Sequence, residues 1–450
     1  MNQNENPTLI PYILENMGDA VCVTNRRGEL QFMNPAAEKL FGMSFTPDKP
    51  TKIWQAIPYV ETNDDLIQLF IQAIHAGENA EHLLVKYENP EGRVSDVRVS
   101  LTRSTEDGGR FLIVISDLTE LFRVTDAFRR YTSPEIADYV LYTPGGESQG
   151  GVAREVSILF ADLRGSTALS TVLQADRLVD MLNRFFEKMV EVVARCRGTV
   201  IEFLGDCIYA VFGAPEDDPD HADHAVACAV GMQNAILEVN ADNRACGDPD
   251  LAVGIGIHSG TVVVGNIGSR DKMKYGCVGE AVNLAARLES LTVGGDILIS
   301  EYTAKKIRGD LEVISRREFL PKGAKTPMQA LYVGGLGDNR VLRHEEETVW
   351  MVPNPPENVT FHFLDEHKSV NETPFSGKIT AVSRDGNHAV LLADSLPPVS
   401  ADLMIEIDGS LYAKVTGTAP EGAVLTFTTR PGNFGHWFRA LLSRASSRQA

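Results

Sequence analysis

The chain has 450 residues, of which 43% are hydrophobic and 23% are charged, a balance typical of globular domains. At this length we expect about two to four domains. Lys and Arg total 42 and Asp and Glu total 61, so the formal net charge is −19. This excess of acid argues against a general nucleic-acid-binding protein and against binding to anionic membrane surfaces.

The cysteine pattern and the N-terminal residues bear on the cellular compartment in which the protein is expected. The cysteines are scattered, without a CxxC pair, and we interpret them as reduced thiols: Cys22, Cys196, Cys207, Cys228, Cys246 and Cys277. Residues 1–7 lack the basic region and apolar core of a signal peptide. No apolar run approaches the roughly 20 residues needed to span a bilayer. We therefore expect a cytoplasmic protein.

Residues 9–119 are predicted to form a first domain. Its elements are two strands, two helices and three further strands, at 20–24, 29–33, 36–41, 66–75, 82–87, 94–102 and 111–116. This order resembles a PAS sensor domain, and the segments 28–42 and 115–120 carry the resemblance. No ligand of this domain can be named. His75 could be a haem ligand, but its place at a helix end favours an exposed histidine.

Residues 120–151 are predicted to be a helical linker. Leu121, Val124, Phe128 and Tyr131 follow the spacing of a coiled-coil stripe, although a single amphipathic helix packed on a neighbour explains it equally well. Ser133 followed by a proline is typical of the start of a second helix.

Residues 152–336 alternate strands and helices, which predicts an α/β domain with a mixed sheet. We expect strands at 156–161, 251–257, 261–264, 296–300 and 329–334, helices near 169–195, 222–239 and 280–292, and a hairpin over 198–213 that bends at Gly205 and Asp206.

The rest of the chain has little helical pattern. Residues 337–355 are polar and contain proline, as in a linker. Residues 357–442 hold short strands and turns, which predicts a small β-barrel. The segment 382–386 gives this region a faint resemblance to a PilZ domain, but the basic RxxxR motif of that family is absent and Ala381 stands where it has Asp or Asn. Ligand binding of the PilZ type is therefore not expected.

Two carboxylates in the α/β domain lie where apolar runs turn. Asp162 ends the run 156–161, and Asp206 lies at the bend of the predicted hairpin. A strand that delivers a carboxylate to its end can hold a divalent cation over a phosphate. Each aspartate alone could equally be a turn or cap residue. Further along, Asn283 and Arg287 are four residues apart and would share one face of a helix.

Several spaced motifs give residues 152–336 a resemblance to the catalytic domain of class III nucleotidyl cyclases, the adenylate and guanylate cyclase family. They are 160–167, 204–206, 256–268, 282–289 and 321–323. The resemblance implies a ferredoxin-like palm fold and formation of a 3′,5′-cyclic nucleotide and pyrophosphate from ATP or GTP. It also implies two divalent ions per site, Mg²⁺ or Mn²⁺, bound by Asp162, Asp206 and the backbone carbonyl of Leu163.

The same resemblance assigns roles to residues outside the metal site. It implies that Asn283 orients the ribose, that Arg287 stabilises the transferring phosphate, and that Lys322 binds the terminal phosphates. It further implies a homodimer in which the two aspartates come from one chain and these three residues, with the base-reading ones, come from the other.

Two positions bear on which purine base, guanine or adenine, the site would recognise. Glu202, four residues before Asp206, can accept hydrogen bonds from guanine, whereas adenylate cyclases typically have Lys there. The second position is Gly276, which offers only backbone, with Cys277 one place later. The residues favour GTP slightly, ATP stays open, and Glu202 could also be a solvent-facing strand residue.

The sequence leaves alternatives to an active nucleotide cyclase. The chain could be a catalytically inactive cyclase fold that acts as a signalling or interaction module, although Asp162, Asp206, Asn283, Arg287 and Lys322 together favour an enzyme. A diguanylate cyclase is rejected because residues 204–208 lack its Gly-Gly-acid-Glu-Phe turn. The acids and histidines of 217–224 could bind a metal, but a loop that enters a helix N-terminus explains them more simply.

Overall fold

The structure is a computed structural model. It describes residues 9–104, 109–166, 169, 173–319, 327–342, 349–364, 369–384, 386–399, 401–407, 409–429 and 433–448. Two compact units divide the chain, one ending at Tyr131 and the other beginning at Thr132. In the described part of the chain, no helix combines the length and the apolar character that crossing a membrane requires.

The first unit is a five-stranded antiparallel sheet with helices between its second and third strands. The strand order is β2-β1-β5-β4-β3. The elements are α1 (Leu9–Asn16), β1 (Ala20–Thr24), β2 (Leu30–Met33), α2 (Pro35–Phe41), α3 (Asp64–Ala76), β3 (Ala80–Glu88), β4 (Val94–Arg103) and β5 (Phe111–Asp117). This is the predicted order of strands and helices, with α1 as an unpredicted addition.

Local signals explain where α2 begins and ends. The Asn34 side chain accepts a hydrogen bond from the Ala37 amide, the usual role of an N-cap. Gly42 adopts φ +65°, a left-handed conformation that glycine tolerates and that ends helices. The Asn34 amide also donates to the carbonyls of Leu14 and Asp19, at 3.1 and 2.9 Å, which ties α1 to this turn.

The two predicted linker helices are present as α4 (Thr119–Tyr131) and α5 (Pro134–Tyr142). The Ser133 hydroxyl accepts a hydrogen bond from the Ile136 amide, so the predicted N-cap is confirmed. None of the α4 residues is buried. Leu121 and Val124 of the apolar stripe are 61% and 60% exposed. Their exposure leaves the coiled-coil interpretation a prediction.

The second unit contains a large mixed sheet in the order β12-β13-β11-β9-β6-β8-β7, with β10 on β9 and β14 on β13. The strands are β6 (Gly150–Leu163), β7 (Thr199–Leu204), β8 (Cys207–Phe212), β9 (Val253–Gly268), β10 (Met273–Val278), β11 (Ile297–Ser300), β12 (Leu311–Phe319), β13 (Met328–Leu336) and β14 (Asn339–Arg340). The helices are α6 (Ala175–Arg195), α7 (His221–Cys246), α8 (Glu280–Ser290) and α9 (Glu301–Lys306). Only β9 and β11 pair in parallel among these described strands.

One strand replaces two that the sequence predicted. β9 continues through His258 and Ser259, between the two predicted strands 251–257 and 261–264, because it pairs with β6 from Val253 to Asn266. The polar groups are satisfied inside the domain: His258 Nδ1 lies 2.7 Å from the Ser300 hydroxyl, and the Ser259 amide donates to Thr303 at 2.8 Å. Buried polar groups that find partners do not end a strand.

The C-terminal region is a closed barrel. The strands are β15 (Trp350–Pro353), β16 (Glu357–Phe363), β17 (Phe375–Ser383), β18 (His388–Leu392), β19 (Asp402–Ile407), β20 (Gly409–Ala419), β21 (Gly422–Thr429) and β22 (Ala445–Arg448). Pairing of β16 with both β19 and β17 closes six of them into a ring. The predicted β-barrel is confirmed, whereas α10 (Phe434–Ser443) was not predicted.

Candidate active site

Asp162 lies at the end of β6, the strand between β8 and β9. It pairs in register with Cys207 of β8 on one side and with Gly254 of β9 on the other. The strand before it is continuously buried from Val156 to Ala161, so its path through the sheet is well determined by packing. The aspartate is therefore presented at an edge of the sheet by a rigid element.

Asp206 lies in the two-residue turn between β7 and β8. Leu204 and Cys207 pair across that turn, and Gly205 has φ +69°. A positive φ at the first central residue alone is the pattern of a type II′ hairpin turn, where glycine is preferred. The predicted hairpin bend is confirmed, and it places Asp206 beside Cys207, the partner of Asp162.

Asp162 and Asp206 together form an acidic edge of the sheet, and this edge fits a divalent cation. Burial, reinforced by the carboxylates of Asp162, Glu289 and Asp206, raises the pKa of the Cys207 thiol. Oδ2 of Asp206 is buried and makes no hydrogen bond within the described chain. A buried carboxylate oxygen without a donor is unfavourable, and a hard cation would satisfy it.

No group of three or more His, Cys, Asp or Glu gathers as a complete metal site in the ranges that the structure describes. Two carboxylates and a backbone carbonyl such as that of Leu163 would leave further coordination positions to other oxygens. Phosphate oxygens of a nucleotide are the usual ligands for those positions.

Arg164 is a part of the site that sequence reasoning missed. Its guanidinium lies 3.4 Å from Asp162 Oδ2, forms an ion pair with Glu289 and donates to the Thr292 hydroxyl at 2.9 Å. The side chains of Arg164 and Glu289 are each only 13% exposed. Arg164 is two residues from Asp162, but its other partners, Glu289 and Thr292, are more than 100 residues away in sequence, so no local pattern indicated these contacts.

Two glycines of β9 let α8 approach the sheet beside this arginine. A Cβ on Gly254 would lie 2.1 Å from Thr292 Oγ1 and 2.3 Å from Arg164 Nη2. A Cβ on Gly256 would lie 2.1 Å from the backbone nitrogen of Glu289. The absence of side chains at these two positions is what allows the last turn of α8 to rest on the strand.

The faces of α8 are as predicted. Leu284, Ala285 and Leu288 are buried against the sheet. Asn283 is exposed and Arg287 is half-buried, so the two polar residues lie on the open side of the helix.

The two proposed base-reading positions lie on strands β7 and β10, which do not pair with each other but are joined by an ion pair. Glu202 of β7 forms an ion pair with Lys274 of β10, a residue that the sequence did not place. Gly276, also on β10, borders open space, since nothing lies within 4 Å of where its Cβ would be. Lys274 therefore holds the Glu202 carboxylate, and two residues further along β10 the open space at Gly276 has room for a ligand.

Buried groups line the sheet behind that carboxylate. Tyr209 pairs in register with Glu202. Burial raises the pKa of Tyr209 and raises that of the adjacent Cys277 thiol to about 11. The Tyr209 hydroxyl has no hydrogen bond of good geometry in the described chain. Cys277 is partly buried and packs against the apolar cluster that contains Tyr209.

The remaining candidates have simpler explanations or fall outside the described residues. Lys322 lies outside them. In the acidic segment 217–224, Asp218 contacts His224 at 2.6 Å and Asp223 accepts from the Gly309 amide at 2.8 Å, so the acids anchor the start of α7. His75 is exposed in the last turn of α3, where its ring packs edge-on against Trp54.

Comparisons with known proteins find matches for two parts of the chain. Residues 151–335 match the adenylate and guanylate cyclase catalytic domain, and residues 9–118 match the PAS fold. Adenylate cyclase 1 of Rhizobium meliloti is 35% identical over 236 residues, which are 50% of this chain and 35% of that protein. An uncharacterized protein of Mycobacterium tuberculosis is 38% identical over 175 residues, which are 39% of this chain and 29% of that protein. The chain thus spans about a third of the length of these relatives.

Solved structures of cyclases are also similar to this chain. The guanylyl cyclase Cya2 is 44% identical, with a TM-score of 0.42, over 43% of this chain and 100% of that one. The adenylyl cyclase CyaB from P. aeruginosa is 32% identical, with a TM-score of 0.39, over 43% of this chain and 98% of that one. The chain thus contains an adenylate and guanylate cyclase catalytic domain over residues 151–335, preceded by a PAS domain over residues 9–118.

Proposed function

We propose that this chain converts a purine nucleoside triphosphate into a 3′,5′-cyclic nucleotide and pyrophosphate, and that the PAS domain regulates this reaction. The observation that carries the proposal is Oδ2 of Asp206, which is buried and has no hydrogen-bond partner among the described residues. Asp206 directly precedes Cys207, the register partner of Asp162. A structural role for both aspartates would not leave such an oxygen without a donor.

The acidic edge would bind divalent cations, Mg²⁺ or Mn²⁺. Asp162 and Asp206 supply carboxylate oxygens, and the carbonyl of Leu163 is a further ligand in the family. Bound there, such ions would make the ribose 3′-hydroxyl more acidic and stabilise charge on the phosphates. Arg164, itself paired with Glu289, would hold the Asp162 carboxylate in place.

The reaction forms a bond between the 3′-oxygen and the α-phosphorus and breaks the bond from that phosphorus to the oxygen bridging the β-phosphate. The hydroxyl proton is lost and pyrophosphate leaves. Arg287 would stabilise the charge on the α-phosphate, because a guanidinium has fixed donors and does not lose its proton. Asn283 would orient the ribose, and Lys322 would bind the terminal phosphates.

We further propose that the working site is shared by two copies of the chain. Asn283 and Arg287 lie on the open face of α8, away from the buried residues of that helix, and this face is available to a second chain. A symmetric dimer would then place the acidic edge of each copy opposite the polar face of the other and create two equivalent sites.

For the purine we propose a preference for GTP. The Glu202 carboxylate can accept hydrogen bonds from the N1–H and 2-amino groups of guanine, and adenine has no such donor pair. Its ion pair with Lys274 would orient it beside the open space at Gly276. The relatives include both adenylate and guanylyl cyclases, so these residues and not the names support the preference.

The decisive experiment incubates the purified full-length protein with GTP and with ATP separately, each with Mg²⁺ or Mn²⁺, and identifies the products by mass spectrometry. We expect cyclic GMP and pyrophosphate in equal amounts, and no product from the Asp162→Ala variant. Cyclic AMP as the main product would overturn the purine assignment alone. If neither triphosphate is cyclised with either metal, the enzyme proposal fails and the inactive signalling module is the better account.

A further inference from the structure

Lys414, in the C-terminal barrel, has an unusual position for a lysine. It lies on β20 between Ala413 and Val415, which belong to the barrel core. Side chains alternate along a strand, so Lys414 must project away from that core. Yet it is only 5% exposed. Something outside the barrel therefore covers it.

The cover is the catalytic domain. The Lys414 ammonium donates a hydrogen bond to the backbone carbonyl of Ser290, the last residue of α8. Asp402, the register partner of Lys414 on β19, lies 4.0 Å from the same nitrogen. Carbonyls in the last turn of a helix lack partners within the helix and carry partial negative charge, so a cation there is favourable.

The contacted turn of α8 leads directly to residues of the proposed catalytic site. The Ser290 hydroxyl donates to the Arg287 carbonyl at 2.8 Å. Its chain neighbour Glu289 forms the ion pair with Arg164, and Arg164 lies 3.4 Å from Asp162 Oδ2. The same short turn thus supports the backbone of one proposed catalytic residue and the side chain that holds a metal-binding one.

This turn has little freedom to move without consequence. Glycines at 254 and 256 bring it against β9 at distances that exclude even a methyl group. A displacement of Ser290 would therefore shift Glu289 and change its ion pair with Arg164, because packed interiors deform poorly. The hydrogen bond from Lys414 of the barrel is one of the restraints on the position of Ser290.

We propose that the C-terminal barrel is a built-in positioning element of the cyclase: Lys414 holds the end of α8 and thereby sets the geometry of Asp162 and Arg287. The catalytic consequence rests on the proposed function, whereas the docking contact does not. Lys414 is a positioning residue, since it acts through Ser290 and Glu289.

The test compares the full-length wild type with Lys414→Met, which keeps length and volume but removes the charge. Lys378→Met is the matched control, because Lys378 is an exposed lysine of the same barrel. Two measurements are made on each protein: backbone amide exchange of residues 284–294, and the Mn²⁺ concentration that gives half-maximal turnover.

We expect Lys414→Met to speed amide exchange at the end of α8 by about threefold or more, since local opening governs that rate. We expect the half-saturating Mn²⁺ concentration to rise about three- to tenfold, less than the 10- to 100-fold typical when a residue touching a metal ligand is lost. The KM for the triphosphate should change less than the metal dependence, and Lys378→Met should match the wild type in both measurements.

A double-mutant cycle with Glu289→Gln tests whether Lys414 acts on Asp162 through Glu289. If Lys414 acts through the end of α8, the two changes in metal dependence should be clearly less than additive. Should Lys414→Met destabilise the barrel, Asp402→Asn perturbs the same lysine from its exposed side and keeps the test available.

The outcomes separate the two proposals. Wild-type exchange in Lys414→Met would overturn the docking contact. Faster exchange with unchanged metal dependence, or full additivity with Glu289→Gln, would overturn the positioning role. A wild type that forms no cyclic nucleotide would defeat the proposed function, while the exchange measurement would still report on the contact.

Discussion

Arg164 lies 3.4 Å from Asp162 and is paired on its other side with a glutamate at the end of α8. An arginine that approaches a carboxylate proposed to bind a metal could compete with the cation. Here its second partner, Glu289, balances the charge of Arg164. We therefore expect Arg164 to hold the Asp162 side chain in place and not to displace a cation. This relationship makes the position of Asp162 depend on a helix more than 100 residues away in sequence.

The first prediction concerns that support. We expect Arg164→Lys to raise the Mn²⁺ concentration for half-maximal turnover about tenfold or more, because an ammonium cannot contact Asp162, Glu289 and Thr292 together. A titration of activity against Mn²⁺ measures this. Arg177→Lys is the control, since Arg177 pairs with Asp248 elsewhere in the domain. Equal metal dependence in both variants would contradict the role of Arg164.

Replacement of Asp206 should separate activity from stability. We expect Asp206→Asn to lower kcat at least about 100-fold through loss of a metal ligand. In metal-free buffer its melting temperature should equal or exceed that of the wild type, because the change removes a carboxylate whose buried Oδ2 receives no hydrogen bond from the described part of the chain. Added Mn²⁺ should stabilise the wild type and not the variant. A lower metal-free melting temperature would indicate a structural role instead.

The shared site predicts complementation. Asp162→Ala and Arg287→Ala should each be inactive alone, since each removes one half of every site. After coexpression in equal amounts, half of the dimers are mixed and hold one intact site of two, so activity should return to about a quarter of wild type. Mixing Asp162→Ala with Asp206→Ala is the control and should give no recovery. Recovery in the control, or none in the test pair, would contradict a site built from two chains.

The purine preference should depend on Glu202. We expect Glu202→Lys to lower kcat/KM for GTP at least about 100-fold and to favour ATP, because a lysine beside Lys274 offers donors and repels the guanine amino group. Lys274→Met, which frees the carboxylate but keeps it, should reduce the ratio of GTP to ATP use without inverting it. Unchanged purine selectivity in both variants would show that Glu202 is only a strand residue.

Acid should destabilise the catalytic domain through His258. Burial lowers its pKa from 6.5 to about 4. Between those values the unfolded chain binds a proton that the folded chain does not, so the free energy of unfolding falls by up to about 1.4 kcal/mol per pH unit as the pH falls. Denaturant unfolding of His258→Gln from pH 7 to pH 5 should show a shallower decline than the wild type. His436→Gln, at an exposed histidine, should not differ; parallel curves for all three proteins would contradict the prediction.

Local patterns predicted much of the architecture because they report local conformation. The strand and turn signals around Asp206 led to the observed hairpin, and the Ser133-Pro134 start led to the observed cap of α5. They failed where distant partners decide: β9 runs through His258 and Ser259 because Ser300 and Thr303 satisfy those polar groups from another part of the chain.

The sequence by itself determined which chemical groups the protein carries and on which elements they lie: carboxylates at strand ends, and an asparagine and an arginine on one face of a helix. Only the tertiary structure decided what holds them. The pairing of Arg164 with Glu289, the ion pair of Glu202 with Lys274, and the burial of Lys414 outside its own barrel all join segments far apart in sequence. Periodicity reports which face of an element is buried, whereas the identity of what covers that face depends on the packing of the whole chain.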